Sequence, residues 1–382
     1  MTDKDVKLVS TEELAEMDAQ TQYLSPIFGS YASDVEMPVD KLNHDPIEPR
    51  IASEIIREYI GTEGNAHQNL CTFVQTYMEP EAAELMKETL EKNAIDKDEY
   101  PMTAEDAMKY VDDHTICVVC LLGITYTGRY DDVKGVDAAL TEYNKTAKVP
   151  VRIHVDGASG AMVAPFIEPD LDWDFKLPNV WSISTSGHKY GLVYPGIGWV
   201  CWRSKEALPE DLIFWVSYLG GQEATMAINF SRSASQIIGQ YYVFMRNGFE
   251  GYKEIQMRTM DVAHHLVQGI KELGIFIMYE EATEVPILCW SLDPKACKKW
   301  TLYDLDDRLR MHGWQIPAYP LPANMEHVTC QRIVTRADLS MTMADKFLKD
   351  MKAEIANLDN ATVIGAQDSN IAPKKSFDHS GR

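Results

Sequence analysis

The stretch from Val151 to Gly191 places a carboxylate and an amine at the ends of two predicted strands. The β-rich run VRIHVD ends in Asp156, and small residues follow it at once. A second apolar run, residues 179–184, leads into the turn TSGHK, which ends in Lys189. Open α/β sheets bind ligands at the carboxyl ends of their strands. The spacing therefore predicts that Asp156 and Lys189 reach the same rim of one sheet.

These two side chains suit one cofactor chemistry. A lysine amine can form a Schiff base with an aldehyde, and a carboxylate can keep a pyridine nitrogen protonated, which is what pyridoxal phosphate requires of a protein. The protonated ring is then the electron sink, and Ala158 is placed to lie against one ring face. The alternative is structural, because an aspartate and a lysine at strand ends are common in α/β proteins.

Composition limits the classes of function. The chain has 382 residues, 45% of them hydrophobic, which is enough for a substantial core in more than one lobe. Acidic residues number 58 against 36 basic ones, and the net charge of −22 disfavours nucleic acid and anionic membrane surfaces as partners. The N-terminus lacks a signal-peptide pattern, the longest apolar run is too short for a membrane span, and the seven cysteines are scattered. A cytoplasmic location is expected.

The other motifs are better explained by structural roles than by metal binding or nucleotide binding. Cys117 and Cys120 lie in a predicted strand, where positions three apart point to opposite faces, so a shared metal is not expected. The sequence GIG at 196–198 precedes a strand, whereas a dinucleotide-binding loop precedes a helix. His154 and Asp156 share one strand face and form an alternative metal pair. The lysine motif already explains the aspartate, so no catalytic metal is expected.

Helical and β-rich segments alternate through the chain, which is typical of a largely parallel, helix-covered sheet. Strands are predicted near 115–122, 151–155, 179–184, 198–203, 274–279, 286–291 and 328–335. Helices are predicted near 50–60, 80–93, 133–146, 236–245, 252–273, 302–311 and 341–358, with a short one after Thr103. The predicted domains are an N-terminal arm at 1–60, a cofactor-binding large domain at 61–259 and a small C-terminal α+β domain at 260–382.

Several motifs occur in a single order along the chain. They are GTEGNAHQNLCTF (61–73), IDKDEYP (95–101), GITYTG (123–128), HVDGASG (154–160), STSGHKYG (184–191), YLGGQ (218–222) and INFSR (228–232). Together they resemble the pyridoxal-phosphate-dependent glutamate decarboxylases over most of the chain. The resemblance implies an aspartate aminotransferase-like large domain of fold type I, here shortened, with a small C-terminal domain. It also implies a carboxy-lyase that converts L-glutamate to 4-aminobutanoate and CO2.

The resemblance assigns the site residues. The catalytic residues are Lys189 and Asp156, and the cofactor contacts are Lys189, Asp156, Ala158, Thr125, Ser186, His188 and Ser231, the last across a dimer interface. The substrate contacts are Thr72, Phe73, Asp96 and Arg336, although a solvated loop acid is an equal alternative for Asp96. A homodimer or higher homo-oligomer is implied. The chain lacks the basic amphipathic helix of a calmodulin target, so calmodulin is not expected as a partner.

One part of the family pattern is missing. In the family, on the order of a hundred residues, or about three βα units, separate the matches to Pro101 and Asp112. This chain crosses the interval in residues 102–111. The phosphate-binding loop and ring-stacking histidine of the family are therefore expected to be absent. If the chain nevertheless binds the cofactor tightly, the helix start at Thr103 is the expected substitute. Two hypotheses follow: a decarboxylase, or a catalytically silent relative that acts by binding a partner subunit.

Overall fold

The computed structural model describes residues 42–62, 101–208, 210–217, 223–226, 233–282, 284–297, 299–321 and 325–361. The chain divides into two compact units that interleave along the sequence. The first comprises Met1–Ala94 with Ser186–Glu254, and the second comprises Ile95–Thr185 with Ile255–Arg382. The predicted domains, in contrast, follow one another along the chain, and their bounds stay a prediction.

Helices and strands occupy nearly all the described positions at which the sequence predicts them. The strands are β1 Cys117–Leu121, β2 Arg152–Asp156, β3 Val180–Ser186, β4 Gly198–Trp202, β5 Phe214–Val216, β6 Glu223–Thr225, β7 Phe276–Glu281, β8 Ile287–Leu292, β9 Tyr319–Pro320 and β10 Thr329–Val334. The α-helices are α1 Pro49–Thr62, α2 Ala104–Met108, α3 Val133–Tyr143, α4 Ala164–Ile167, α5 Ser235–Glu272, α6 Leu302–Arg310 and α7 Met341–Asn360. The predicted helix near 80–93 lies outside the described residues.

The second unit contains the parallel strands that carry Asp156. β2 lies between β1 and β3, and Asp156 stands opposite Ser184 of β3. Val155 and Ile153 of β2 are fully buried, together with Leu140 of α3. Buried β-branched residues alternate with polar ones along β2, because successive side chains point to opposite faces. The predicted parallel α/β arrangement is confirmed for these strands.

One face of β1 is open to solvent. Cys117 and Val119 are exposed, whereas Val118 and Cys120 are buried. This alternation confirms that the two cysteines point to opposite faces of the strand. It also corrects the expectation of a sheet covered on both sides, since parallel sheets normally bury both faces.

The same unit contains an antiparallel sheet with the order β7-β8-β10-β9. Its buried face packs against α6, α7 and the C-terminal part of α5, and Trp290 of β8 is fully buried in that core. Helix α6 begins with a capping box, in which Thr301 and Asp304 satisfy each other's main-chain N–H groups. The predicted C-terminal strands and helices are thus present.

In the first unit, α1 packs against the N-terminal part of α5 through Ala52, Ile55 and Met245. The sequence predicts two helices here, and α5 indeed consists of two helices joined at Gly248, whose φ of 58° is left-handed. A Cβ atom at Gly248 would lie 2.6 Å from the main-chain oxygen of Asp45. The hairpin of β5 and β6 was not predicted.

Candidate active site

Asp156 is fixed at the carboxyl end of β2 through one of its two oxygens. Its Oδ1 accepts hydrogen bonds from the main-chain N–H of Ala158 (3.0 Å) and from the hydroxyl of Ser184 (3.3 Å). Within the part of the chain that the structure describes, no hydrogen bond reaches Oδ2. The carboxylate therefore has a fixed orientation and one oxygen available to a ligand.

The small residues after Asp156 have a packing role of their own. A Cβ atom at Gly157 would lie 2.5 Å from Cβ of Ala161, and one at Gly160 would lie 2.4 Å from the main-chain oxygen of Leu122. Side chains at both positions would clash with the turn and with β1. The structure thus requires glycine here for close main-chain packing, independently of any ligand.

Thr125 lies in the loop that follows β1, and an arginine distant in sequence anchors this loop. Gly123 (φ 108°) and Gly128 (φ 71°) give the loop its left-handed turns. The main-chain oxygen of Thr125 accepts a hydrogen bond from Nη1 of Arg332, whose guanidinium lies 5.9 Å from the ring centroid of Tyr126. Sequence reasoning missed Arg332, although it lies four residues before the predicted Arg336.

Arg336 already has a carboxylate partner. Its Nε and Nη2 donate to the two oxygens of Asp338, each at 3.1 Å. Both side chains are exposed, and an exposed pair of this kind contributes only about 0–1 kcal/mol. A ligand carboxylate can therefore replace Asp338 at small cost. The geometry of the pair is the bidentate one that arginine uses for carboxylates.

Two buried side chains of α5 donate hydrogen bonds to the turn that carries Lys189. The main-chain oxygen of Gly191 accepts hydrogen bonds from Nε2 of Gln240 (2.9 Å) and from the hydroxyl of Tyr252 (3.0 Å). The turn packs so closely that a Cβ atom at Gly187 would lie 2.4 Å from Oε1 of Gln240. Gln240 and Tyr252 were not predicted, because nothing in the sequence relates them to the lysine motif.

His188 is neutral in the ordinary pH range. Burial lowers its pKa, and the positive charge of neighbouring Lys189 lowers it further. Such a histidine can donate a hydrogen bond to a phosphate oxygen but does not supply a charge. Ser186, at the end of β3, offers a hydroxyl as a second donor.

The predicted site residues fall into three groups. Asp156, Ala158, Thr125 and Arg336 belong to the second unit, and Ser186, His188 and Lys189 belong to the first. Thr72, Phe73, Asp96 and Ser231 lie outside the described residues. Lys189 follows Ser184, the neighbour of Asp156 in the sheet, by five residues along the chain. The approach of Lys189 to Asp156 stays a prediction.

The helix start at Thr103, the candidate substitute for the phosphate loop, already carries acidic side chains. Asp106 accepts hydrogen bonds from the main-chain N–H and the hydroxyl of Thr103, and Thr103 in turn accepts from the N–H of Asp106. The Thr103 hydroxyl and Lys109 lower the pKa of Asp106 to about 2, so this carboxyl is an anion at ordinary pH. Glu105 adds a second acid to the first turn. A phosphate would be repelled there.

His154 of the alternative metal pair has hydrogen-bond partners for its ring. Nδ1 of His154 lies 2.8 Å from the hydroxyl of Ser182, and Nε2 lies 3.2 Å from that of Ser184, so both ring nitrogens are engaged. Across the described ranges, no group of three or more His, Cys, Asp or Glu residues could hold a metal ion. The helices of those same ranges include none that is long and apolar enough to cross a membrane.

A parallel α/β sheet with an aspartate at a strand end, followed by a lysine-bearing turn, defines the class of pyridoxal-phosphate-dependent enzymes of fold type I. The pyridoxal-dependent decarboxylase conserved domain matches residues 93–293, which is more than half of the chain. The chain belongs to this family.

The chain is also similar to glutamate decarboxylases over nearly its whole length. It is 44% identical to glutamate decarboxylase beta of Listeria innocua over 440 aligned positions, covering 90% of this chain and 95% of that protein. It is 43% identical to glutamate decarboxylase of Lactococcus lactis subsp. cremoris, covering 91% and 96% of the two chains. The solved structure of Lactobacillus brevis glutamate decarboxylase matches with a TM-score of 0.67 and 43% identity, covering 89% of this chain and 99% of that chain.

The alignment length reveals an internal deletion. Because 90% of 382 residues is about 344, about 96 of the 440 positions aligned with the Listeria protein have no residue in this chain. This agrees with the shortening expected from the motifs, on the order of a hundred residues or three βα units. The open face of β1 is consistent with the loss of elements that would otherwise cover it.

The residues present fit the ring of the family's cofactor better than its phosphate. Oδ2 of Asp156 is an unengaged acceptor within the described chain, as a protonated pyridine nitrogen requires. For the phosphate, the described candidates are the hydroxyl of Ser186 and the ring of His188, whereas the helix start at Thr103 is capped by the threonine hydroxyl and has two acids in its first turn. Pyridoxal phosphate can thus be oriented by this chain, with fewer phosphate contacts than a helix N-terminus would provide.

Proposed function

We propose that this protein is a glutamate decarboxylase, which converts L-glutamate to 4-aminobutanoate and CO2. The observation that carries the proposal is the hydrogen bonding of Asp156. Its Oδ1 accepts two hydrogen bonds at the end of β2, and its Oδ2 has none within the described chain, so Oδ2 is available to a cofactor ring nitrogen. The choice of glutamate is supported by relatives named glutamate decarboxylase that are 42–44% identical over 90–93% of the chain.

The proposed roles follow from the chemistry of the side chains. When bound, pyridoxal phosphate supplies an electron sink for the electron pair left behind as CO2 departs. Lys189 would hold the cofactor through its amine until the substrate amine takes its place. Asp156 would keep the pyridine nitrogen protonated, because an adjacent carboxylate favours the charged form of that nitrogen. Ala158 and Thr125 would flank the ring.

Substrate recognition is assigned to an arginine and to residues outside the described part of the chain. Arg336 would bind a substrate carboxylate in place of Asp338, with the same bidentate geometry. Thr72, Phe73 and Asp96 are proposed for the distal end of the substrate. Loss of the Arg336 guanidinium should raise KM more than it lowers kcat if it contributes ground-state binding.

The phosphate contacts are proposed to come from Ser186 and His188, with Ser231 supplied by a second copy of the chain. This assignment requires a homodimer or a higher homo-oligomer. A cytoplasmic location is also proposed, on the basis of the scattered cysteines.

The deletion predicts weak cofactor binding. Each charge-assisted hydrogen bond lost to the phosphate is worth about 1.5–3 kcal/mol, so the loss of three would weaken binding roughly a thousandfold or more. The covalent link to Lys189 offsets part of that loss. We therefore expect the purified chain to require a large excess of pyridoxal phosphate for glutamate turnover.

The test is a titration of the purified protein with pyridoxal phosphate, followed by visible absorbance and by release of CO2 from glutamate. A visible band with turnover at high cofactor concentration supports the proposal. Tight binding at stoichiometric cofactor would show that another segment holds the phosphate. No band and no turnover at saturating cofactor would refute the decarboxylase assignment.

A second candidate function is a silent subunit that binds another polypeptide, and the open strand β1 favours it. Ile116 is 76% exposed and Val119 is 52% exposed. Among the described strands, β1 pairs only with β2, and the main-chain groups of Cys117 and Val119 point away from it. Because two identical edges can pair antiparallel about a two-fold axis, the proposed occupant is β1 of a second copy.

Both candidates require a second copy of the chain, so the oligomeric state of an edge variant tests whether β1 forms the interface, and glutamate turnover at saturating cofactor separates the two functions. Val119→Lys places a charge on the exposed edge and should dissociate the dimer if β1 forms the interface. Val149→Lys, at an exposed position outside β1, is the matched control. Light scattering that reports the same mass for the wild type and Val119→Lys would reject β1 as the interface.

A further inference from the structure

Four side chains on β2 and β3 form a continuous hydrogen-bond chain that ends on Asp156. The hydroxyl of Ser182 lies 2.8 Å from Nδ1 of His154, and Nε2 of His154 lies 3.2 Å from the hydroxyl of Ser184. Ser184 in turn donates to Oδ1 of Asp156 at 3.3 Å. The sheet register sets these neighbours, because His154 stands opposite Ser182 and Asp156 stands opposite Ser184.

The chemistry of the four groups fixes the direction of every proton in this chain. An ionised carboxylate can only accept, so the single hydroxyl proton of Ser184 points to Asp156. The oxygen of Ser184 must then accept from His154, which places the imidazole proton on Nε2. Nδ1 is left as an acceptor, and Ser182 donates to it. All three donors are therefore oriented toward the carboxylate.

The surroundings keep the imidazole neutral, as this arrangement requires. His154 is half-buried, and burial lowers its pKa, while the charge of Asp156 acts in the opposite direction. A neutral imidazole with one donor and one acceptor can transmit hydrogen bonding between the two serines. A doubly protonated ring would have no acceptor for Ser182.

We propose that Ser182, His154 and Ser184 are positioning residues for Asp156, which hold its Oδ1 and leave Oδ2 for the ring nitrogen of the cofactor. This inference rests on the proposed function, because it assigns a role to the oxygen that the cofactor would contact. Ser184 is the decisive member, since it touches both the imidazole and the carboxylate. Such a role explains why polar residues occupy these strand positions next to buried valine and isoleucine.

The first part of the test is independent of cofactor and activity. Nitrogen-15 NMR of the ring of His154, on protein without added cofactor, is expected to show a single neutral tautomer with the proton on Nε2. Ser184→Ala removes the acceptor for that proton and should give a mixture of tautomers. Ser184→Thr keeps the hydroxyl and should restore the wild-type pattern. A proton on Nδ1 in the wild type, or unchanged shifts in Ser184→Ala, would overturn the hydrogen-bond chain.

The second part uses the three proteins with pyridoxal phosphate. Loss of one hydrogen bond to a charged group should lower kcat in Ser184→Ala by about ten- to a hundredfold, with little change in KM. Ser184→Thr should lie within about threefold of the wild type, because the hydroxyl remains. Equal kcat values for wild type and Ser184→Ala would overturn the positioning role. The expected His154 tautomer in a protein without any cofactor band would instead refute the proposed function and leave the hydrogen-bond chain intact.

Discussion

The main-chain oxygen of Gly191 offers a quantitative test of how the lysine-bearing turn is held. It accepts one hydrogen bond from Gln240 at 2.9 Å and one from Tyr252 at 3.0 Å. Both side chains are 0% exposed, so water cannot replace either donor without local unfolding. A carbonyl oxygen has two lone pairs, so it can accept from both donors. The two donors also contact each other, because Nε2 of Gln240 lies 3.4 Å from the hydroxyl of Tyr252.

The two single variants should differ in cost. Tyr252→Phe removes one donor and should lower the free energy of unfolding by about 1 kcal/mol. Gln240→Leu also removes a donor, but it removes Oε1 as well, which is buried without a hydrogen-bond partner in the described chain. Removing this unpaired buried acceptor should stabilise the protein by about 1–3 kcal/mol and offset the lost hydrogen bond to Gly191, so the free energy of unfolding should change little in this variant.

The double variant leaves the Gly191 oxygen buried without a donor and should lose about 1 kcal/mol or more beyond the sum of the single variants. Urea unfolding of the four proteins measures this difference, with unchanged m-values as the check on two-state behaviour. Tyr279→Phe is the matched control, because Tyr279 contacts Ser291 in the antiparallel sheet. Additivity to within about 0.5 kcal/mol would refute the shared-acceptor reasoning.

Three further predictions concern single side chains. Lys189→Ala should abolish the visible cofactor band and the mass added by borohydride reduction, whereas Lys205→Ala should retain both. Asp156→Asn should still bind cofactor but lower kcat by orders of magnitude, and an unchanged kcat would remove Asp156 from its role. The folded state lowers the pKa of Asp106 from 3.8 to about 2. The ionised carboxylate therefore stabilises the fold fully above pH 3.8, and this stabilisation is lost as the pH falls through about 2. Urea unfolding should show that the difference in free energy of unfolding between the wild type and Asp106→Asn becomes smaller as the pH falls from 3.8 to about 2. A difference that stays constant over this pH range would contradict the prediction.

Local patterns predicted most of the described helices and strands. The run VRIHVD became β2 because β-branched residues alternate with polar ones, and Thr103 and Asp106 formed the predicted helix start because capping depends on residues three apart. The break of α5 at Gly248 falls between the two predicted helices at 236–245 and 252–273, but its packing partner was not predicted. The main-chain contact of Gly248 with residues 43–45 comes from a part of the chain that is far away in sequence.

The supporting residues of the site could not be predicted for the same reason. Gln240 and Tyr252 lie 49 and 61 residues from the glycine that they contact, and Arg332 lies 207 residues from Thr125. Such contacts depend on which elements pack together, and a single sequence records only periodicity along each element. Asp156 and Lys189 could be proposed as site residues from the sequence because ligands bind at the carboxyl ends of strands in open α/β sheets, and both residues follow predicted strands.

The acidic helix start at Thr103 has a consequence for the phosphate. A helix start attracts anions only while its N–H groups are unoccupied, and a side chain that caps the helix competes directly with a ligand. Here the capping residue is Thr103, whose hydroxyl accepts from the N–H of Asp106, and the carboxylate of Asp106 stays ionised down to about pH 2 and places a negative charge in the first turn. The remaining described donors, Ser186 and His188, are neutral. On the proposed assignment, we therefore expect affinity for pyridoxal phosphate to come mainly from Lys189 and from contacts of Asp156 with the ring, which are the residues that the shortened chain retains.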